Sequence, residues 1–337
     1  MADKSHIEWT DATWNPITGC TLVSDGCTNC YAARMAATRL KGHPSRKGLA
    51  RMNAKGVAKF TGELRFNQKW LDQPLGWTKP RRIFVCAHGD LFHEHVPEVW
   101  LRKIFAVMAM SPQHTFQILT KRPNIMAEYM SSYCFPGSVW SAMGEINPKR
   151  FAENARMQWP LPNVWLGTSV EDQATAEKRI PHLLAAPAAL HFLSCEPLLD
   201  KIDLCNLKME GTERTLNAFT GLDSKGVAHF DDVVEWLIAG GESGSHARPI
   251  NRNWVRLFRD QCAEYDVPFL LKQWGVWFPL GEVDSSGMMP RAFNHDDPGA
   301  WVKFEDDEIS LQIGKKISGR FLDGVIHDGF PGDEVHG

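Results

Sequence analysis

The chain has 337 residues, 43% hydrophobic and 23% charged, and 37 Lys and Arg against 40 Asp and Glu leave a net charge of −3. That length and balance are ordinary for a soluble globular enzyme and allow one large α/β domain or two ordinary ones with a sizeable core. No run approaches eighteen apolar residues, and the opening "MADKSHIEWTDATW" has no apolar signal region, so neither a transmembrane helix nor a secretory signal is expected, and a cytoplasmic protein is.

In chain order, the first feature is "TGCTLVSDGCTNCYAARMA", which places Cys20, Cys27 and Cys30 within eleven residues ahead of a predicted helix. In the cytoplasm, clustered cysteines point to metal more often than to disulfides. Cys86, Cys134, Cys195, Cys205 and Cys262 are scattered and read mostly as small buried hydrophobes. From Arg34 to Lys69 there are ten Lys or Arg and one acid, Glu63. Such a basic stretch is compatible with a phosphate-rich partner such as nucleic acid, or with a solvated face.

Six apolar runs follow: "RIFVCAHGD" (82–90), "TFQILTKRP" (115–123), "NVWLGTSVED" (163–172), "ALHFLSCEP" (189–197), "VEWLIAGGESG" (234–244) and "VPFLLKQWG" (267–275). Each reads as a strand buried on both faces, and helix-like stretches such as "PEVWLRKIFAVMAM" and "NRNWVRLFRDQCAEYD" lie between several of them. Alternating strand and helix predicts a parallel sheet. The runs end in polar clusters that include His88 and Asp90, Lys121 and Arg122, Ser169, Glu171 and Asp172, Ser194 and Glu196, Glu242 and Ser243, and Lys272 and Gln273. The C-terminal strand ends of a parallel α/β sheet form its active face, so these clusters predict one shared rim. The segments 130–162 and 201–231 read as insertions, and the tail from Phe278 reads as an appended region; Glu282 to Glu308 holds eight acids against Arg291 and Lys303.

The cysteine spacing is C-x6-C-x2-C, with no second C-x-x-C downstream. Structural zinc normally closes with four protein ligands, which would need a remote group such as His88 or Cys86; a catalytic zinc with three thiolates also fits the count. A four-iron cluster held by three thiolates would instead leave one iron open to a non-protein ligand. Gly19 and Gly26 allow tight turns around bulky sulfides, and Asn29 is placed to cap a helix starting near Cys30.

"WNPITGCTLVSDGCTNCYA" resembles the signature of a phage-associated family of three-cysteine-motif proteins, whose cysteine loop is similar to that of radical S-adenosylmethionine enzymes. The resemblance runs over most of the chain, through "FVCAHGDLFHEHVP", "ILTKRP", "VWLGTSVED", "LSCEPLL", "AGGESG", "FLLKQWG" and "GRFLDGVIHDGFP". The commonest motif of that superfamily is C-x3-C-x2-C, and this chain has six residues in the first gap. The resemblance implies a 4Fe-4S cluster on Cys20, Cys27 and Cys30, with S-adenosylmethionine on the open iron and a reducing electron donor. It also implies that Tyr31 shields the cluster or contacts adenine, and that Gly240, Gly241 and Glu242 hold the methionine part, although that motif usually comes earlier in the barrel.

The expected fold is α/β, a (β/α) barrel, full or partial, over 1–277 with an acidic extension over 278–337. Ser169 joins the expected cofactor contacts, and Glu196, Asp90 and Lys121 are the candidate catalytic residues. The expected function is a radical S-adenosylmethionine enzyme acting on nucleic acid or nucleotide in repair or base modification, beside a partner modification enzyme. The alternative is a zinc-binding nucleic-acid-associated protein without radical chemistry. No Walker A, G-x-S-x-G or H-E-x-x-H pattern is present, which argues against nucleotide hydrolysis, serine hydrolysis and zincin proteolysis.

Overall fold

All six apolar runs are strands in the computed structural model, which describes residues 5, 7–282 and 301–332. In chain order the first elements are β1 (Ala12–Trp14), β2 (Ile17–Thr18), α1 (Tyr31–Ala37), β3 (Ala50–Met52), β4 (Ala58–Phe60) and β5 (Arg65–Phe66). They are followed by β6 (Arg82–Val85), α2 (Glu98–Ala109), β7 (Thr115–Thr120), α3 (Pro123–Met130), α4 (Phe135–Ile146), α5 (Pro148–Glu153) and β8 (Val164–Ser169). Then come α6 (Gln173–Leu184), β9 (His191–Cys195), β10 (Leu207–Lys208), β11 (Thr215–Leu216), β12 (Trp236–Gly240), α7 (Arg252–Glu264) and β13 (Phe269–Gln273). The tail adds β14 (Trp277–Pro279), β15 (Trp301–Lys303) and β16 (Ile309–Gln312).

Seven strands hydrogen-bond in the order β1-β6-β7-β8-β9-β12-β13. The expectation of an α/β protein built on a parallel sheet therefore holds. Every residue of β9 and of β12 is buried, which is why these strands read as unbroken apolar runs rather than alternating ones. β1 was not among the predicted strands; it is three residues long and pairs in parallel with β6, Ala12 opposite Ile83.

The chain divides into two compact units, 1–168 with 181–191, and 169–180 with 192–337. In the first, α2 buries Leu101, Ile104, Phe105 and Met108 on one face and packs on α4. That i, i+3, i+4, i+7 spacing defines a core-facing stripe, and each such fully buried side chain contributes roughly 1.5–3 kcal/mol. The insertion at 130–162 is thus largely helical, with α4 and α5 in it. The hairpin of β3 and β4 packs on α1.

In the second unit, α7 buries Val255, Phe258 and Cys262, and Asn251 caps it by accepting the Asn253 amide at 2.7 Å. The insertion at 201–231 carries the hairpin β10–β11. Nearby, the Asp223 carboxylate accepts Arg214 at 2.8 Å and His229 at 3.1 Å. β14, β16 and β15 form an antiparallel sheet in the tail. Much of the acidic tail, 283–300 and 333–337, lies outside the described residues. Among the described residues no helix is long and apolar enough to cross a membrane.

Candidate functional site

The cysteine loop leaves β2 through Gly19, whose φ of 104° lies in the region that favours glycine. A Cβ there would stand 2.1 Å from the Glu63 carbonyl oxygen, so no other residue fits without moving backbone. The Gly19 amide donates to the His88 carbonyl at 3.1 Å, tying the loop to the segment that follows β6. A short 3-10 turn over Asp25–Cys27 then carries Cys27, and Cys30 is the N-cap of α1. The capping position is therefore Cys30 itself, one residue beyond the Asn29 expected from sequence.

Cys20, Cys27 and Cys30 are all partly exposed, whereas Cys86, Cys195 and Cys262 are buried, as expected of packing cysteines; Cys205 is intermediate and Cys134 exposed. Burial pushes the Cys20 thiol up to about 12, with Asp90, Cys27 and Cys30 adding to the rise and Arg122 opposing it. Burial also raises Cys30, against the Ala33 and Ala32 amides that lower it, and Lys121 lowers it further. Cys20 thus feels the other two thiols and Arg122, and Cys30 feels Cys27 and Lys121. Among the described residues no group of three or more His, Cys, Asp or Glu side chains is arranged so that it could hold a metal ion.

The loop is pinned by one guanidinium. Arg122, which follows β7, is 3.0 Å from Asp90 through Nη1, and its Nη1 also donates to the Cys20 sulfur at 3.8 Å. Its Nη2 donates to the Thr21 hydroxyl at 2.6 Å and its Nε to Glu94 at 2.5 Å. His93 Nε2 stands 2.9 Å from the same Thr21 hydroxyl. Asp90, which follows β6, accepts the Thr120 hydroxyl at 2.7 Å and the Phe92 amide at 3.1 Å as well. Its lone pairs are thereby occupied, and it acts on the loop through Arg122 rather than as an open base. Burial tends to raise the Glu94 carboxyl, but its own backbone amide and Arg122 hold it down to about 2.

Of the other expected site residues, Tyr31 is 55% exposed with its hydroxyl donating to the Ala87 carbonyl at 2.6 Å, and its ring meets His88 edge-on at 5.9 Å. Lys121 lies beside Asp90 and within influence of Cys30. Cys86, considered as a remote zinc ligand, is fully buried and faces the Ile17 amide and Asp90. His88 is shifted down to about 4 by burial and Arg46, with its Nδ1 buried and unpartnered.

The remaining candidates belong to the second unit. Ser169 is buried and its carbonyl accepts Arg179 at 2.8 Å. Glu171, read as a rim group, is instead fully buried and paired with Arg179 at 2.8 Å. Asp172 accepts the Thr175 amide at 2.7 Å. The Glu196 carboxylate accepts Lys272 at 2.7 and 2.9 Å and Gln273 at 3.1 Å. Glu242 receives the Arg248 amide at 2.8 Å, its Nε at 3.0 Å and its Nη2 at 2.7 Å. A Cβ on Gly241 would lie 2.0 Å from the Trp274 carbonyl oxygen, so that glycine answers to strand packing. The expected rim is therefore uneven: in the first unit the ends of β6 and β7 converge on the cysteine loop, and in the second the acids are held by neighbouring cations or amides.

Sequence reading missed Glu94, Thr21, His93 and Arg46. The only signal for the first three was the polar run "FHEH" after an apolar strand and the hydroxyl next to Cys20.

The fold and this site together define an α/β protein of the parallel-sheet class, with a three-thiol loop locked to two strand ends by a buried arginine. The family model described as "Protein of unknown function (DUF5131)" matches residues 4–331, and the chain belongs to that family. Searches of curated proteins and of solved structures gave no match.

Proposed function

We propose that the protein is an iron–sulfur enzyme of the radical S-adenosylmethionine type, acting on nucleic acid or a nucleotide. The observation that carries the reading is that Cys20, Cys27 and Cys30, all partly exposed residues, lie on one loop, with Cys20 within electrostatic reach of the other two. Three soft sulfur donors beside Arg122 and Lys121 suit a group that carries net negative charge once the thiols have lost their protons. The donor set fits: Cys20, Cys27 and Cys30 would hold the cluster. When bound, it supplies one-electron reduction of S-adenosylmethionine and so the means of generating a carbon radical.

The chain's own groups do the rest. Arg122 balances charge at Cys20 and fixes the loop, and Asp90 holds Arg122 in place. Tyr31, tied to the Ala87 carbonyl, covers the side next to Cys30. The sequential strand order of the sheet is compatible with a partial (β/α) barrel, which supports this reading. Glu196, paired with Lys272, remains the catalytic candidate of the second unit.

The test is anaerobic reconstitution with iron and sulfide, reduction with dithionite, and chromatography of S-adenosylmethionine products. Release of 5′-deoxyadenosine by the wild type but not by a Cys27→Ala/Cys30→Ala variant supports the reading. Intact S-adenosylmethionine with a protein that carries zinc would replace it by a zinc-binding, nucleic-acid-associated protein.

A further inference from the structure

The basic segment is not an ordinary solvated face. In the β3–β4 hairpin Arg51 stands directly opposite Lys59, and both side chains are exposed. Like charges in that register repel. The turn adds a third cation: Asn53 Oδ1 accepts the amides of Lys55 and Val57, both at 2.9 Å, which sets exposed Lys55 at the tip. The other face of the hairpin, with Ala58 buried, packs on α1, whose N-cap is Cys30. Arg51, Lys55 and Lys59 therefore form an outward row of charge on the hairpin that packs against the helix starting at the cysteine loop, and among the described residues none of the three has a carboxylate partner.

A second observation lies at the foot of the hairpin. Arg46 is 5% exposed, its Nη1 donates to the Ser45 hydroxyl, and its Nε is buried without a partner. Among the described residues no carboxylate pairs with it; its guanidinium lies over the Trp70 ring, 5.9 Å from the centroid. A buried cation normally has an anion beside it. The loop that carries it is fixed on both sides, by Thr18 donating to the Ser45 carbonyl at 2.7 Å and by Arg65 clasping the carbonyls of Pro44 and Lys47 at 2.7 and 2.9 Å. The loop that places Arg46 at the foot of the hairpin is thus fixed.

We infer that the β3–β4 hairpin, with Arg46 at its foot, is a phosphate-backbone platform that lays a polynucleotide strand next to the cysteine loop. This rests on the nucleic-acid reading above and narrows it from nucleotide to polynucleotide. Regularly presented cations with no acid among them match a repeating anion. An anionic membrane is the weaker match, because Met52 is the one large apolar side chain exposed on the hairpin strands and the aromatic there, Phe60, is half-buried.

The experiment is fluorescence anisotropy of the full chain with a labelled 20-nucleotide DNA strand across a NaCl series. The Arg51→Gln/Lys55→Gln/Lys59→Gln variant keeps fully exposed positions and should fold as the wild type does, checked by circular dichroism. The platform predicts wild-type binding that weakens with salt. It predicts at least about a tenfold loss in the triple variant at 100 mM NaCl, and a log–log salt slope shallower by about 2. Arg46→Gln should weaken binding as well if it remains folded. A triple variant with wild-type affinity and slope overturns the platform while leaving the nucleic-acid reading standing. A wild type that binds neither this strand nor a mononucleotide overturns both, and one that binds only the mononucleotide overturns the platform alone. Retention on phosphatidylserine vesicles without strand binding assigns the hairpin to a membrane and overturns the proposal.

Discussion

Arg122 and Asp90 form a buried ion pair, Nη1 to Oδ2 at 3.0 Å, with side chains only 8% and 7% exposed. The same Arg122 nitrogen reaches the Cys20 sulfur, so one pair joins the ends of β6 and β7 to the metal-ligand candidate. Burial opposes charge on Arg122, but Asp90 and Glu94 raise its pKa above the usual guanidinium range. Removing one partner leaves the other charge buried without compensation, which typically costs about 3–5 kcal/mol. Arg122→Ala should therefore lower unfolding stability in urea by roughly 3 kcal/mol and reduce iron retained per folded chain. A loss below about 1 kcal/mol, the range of a surface pair, would show that the pair does not organise the loop.

Gly19 gives a separate handle on the same loop. Gly19→Ala adds strain at φ 104° and a contact with the Glu63 carbonyl, and should destabilise by more than about 1 kcal/mol. Gly42→Ala, where a Cβ meets nothing within 4 Å, is the matched control and should be near neutral. Equal thermal midpoints for the two variants would contradict the loop geometry.

His88 sets a pH dependence. Its folded pKa of about 4 lies below the ordinary 6.5, so the unfolded chain binds the extra proton. Stability from this group is complete above pH about 6.5 and is lost as pH falls toward its folded value. Unfolding midpoints in urea should therefore drop between those limits, and His88→Gln should flatten that part of the curve. A wild-type profile that stays flat there, with the variant unchanged, would refute the assignment.

In the second unit, Glu171 and Arg179 form a buried pair, and the same Arg179 nitrogen donates to the Ser169 carbonyl. Glu171→Gln should destabilise by roughly 3 kcal/mol while leaving iron per folded chain at the wild-type level. Loss of iron without loss of stability would place Glu171 in the chemistry instead.

Much of the scaffold was legible because parallel strands buried on both faces leave unbroken apolar runs, as at Phe192–Cys195 and Trp236–Ala239. β1 escaped because Ala-Thr-Trp is too short to show a period, and α4 and α5 because Phe135, Pro136 and Trp140 read as turn and aromatic clutter. The thiol loop was legible because its three cysteines fall within eleven residues. The Arg122 hub was not, since its partners Cys20, Thr21, Asp90 and Glu94 lie 28 to 102 residues away. Glu171 and Glu242 looked like open rim acids for a different reason: Arg179 and Arg248 are only eight and six residues on, but the sequence does not show that their side chains fold back onto the acids.

The most direct test is the iron and acid-labile sulfide content of anaerobically purified protein, read with its visible spectrum, beside the Cys27→Ala/Cys30→Ala variant. The account predicts brown protein with about four iron and four sulfide per chain, both lost in the variant. Colourless protein that holds about one zinc per chain, and takes up no iron on anaerobic reconstitution, would contradict it.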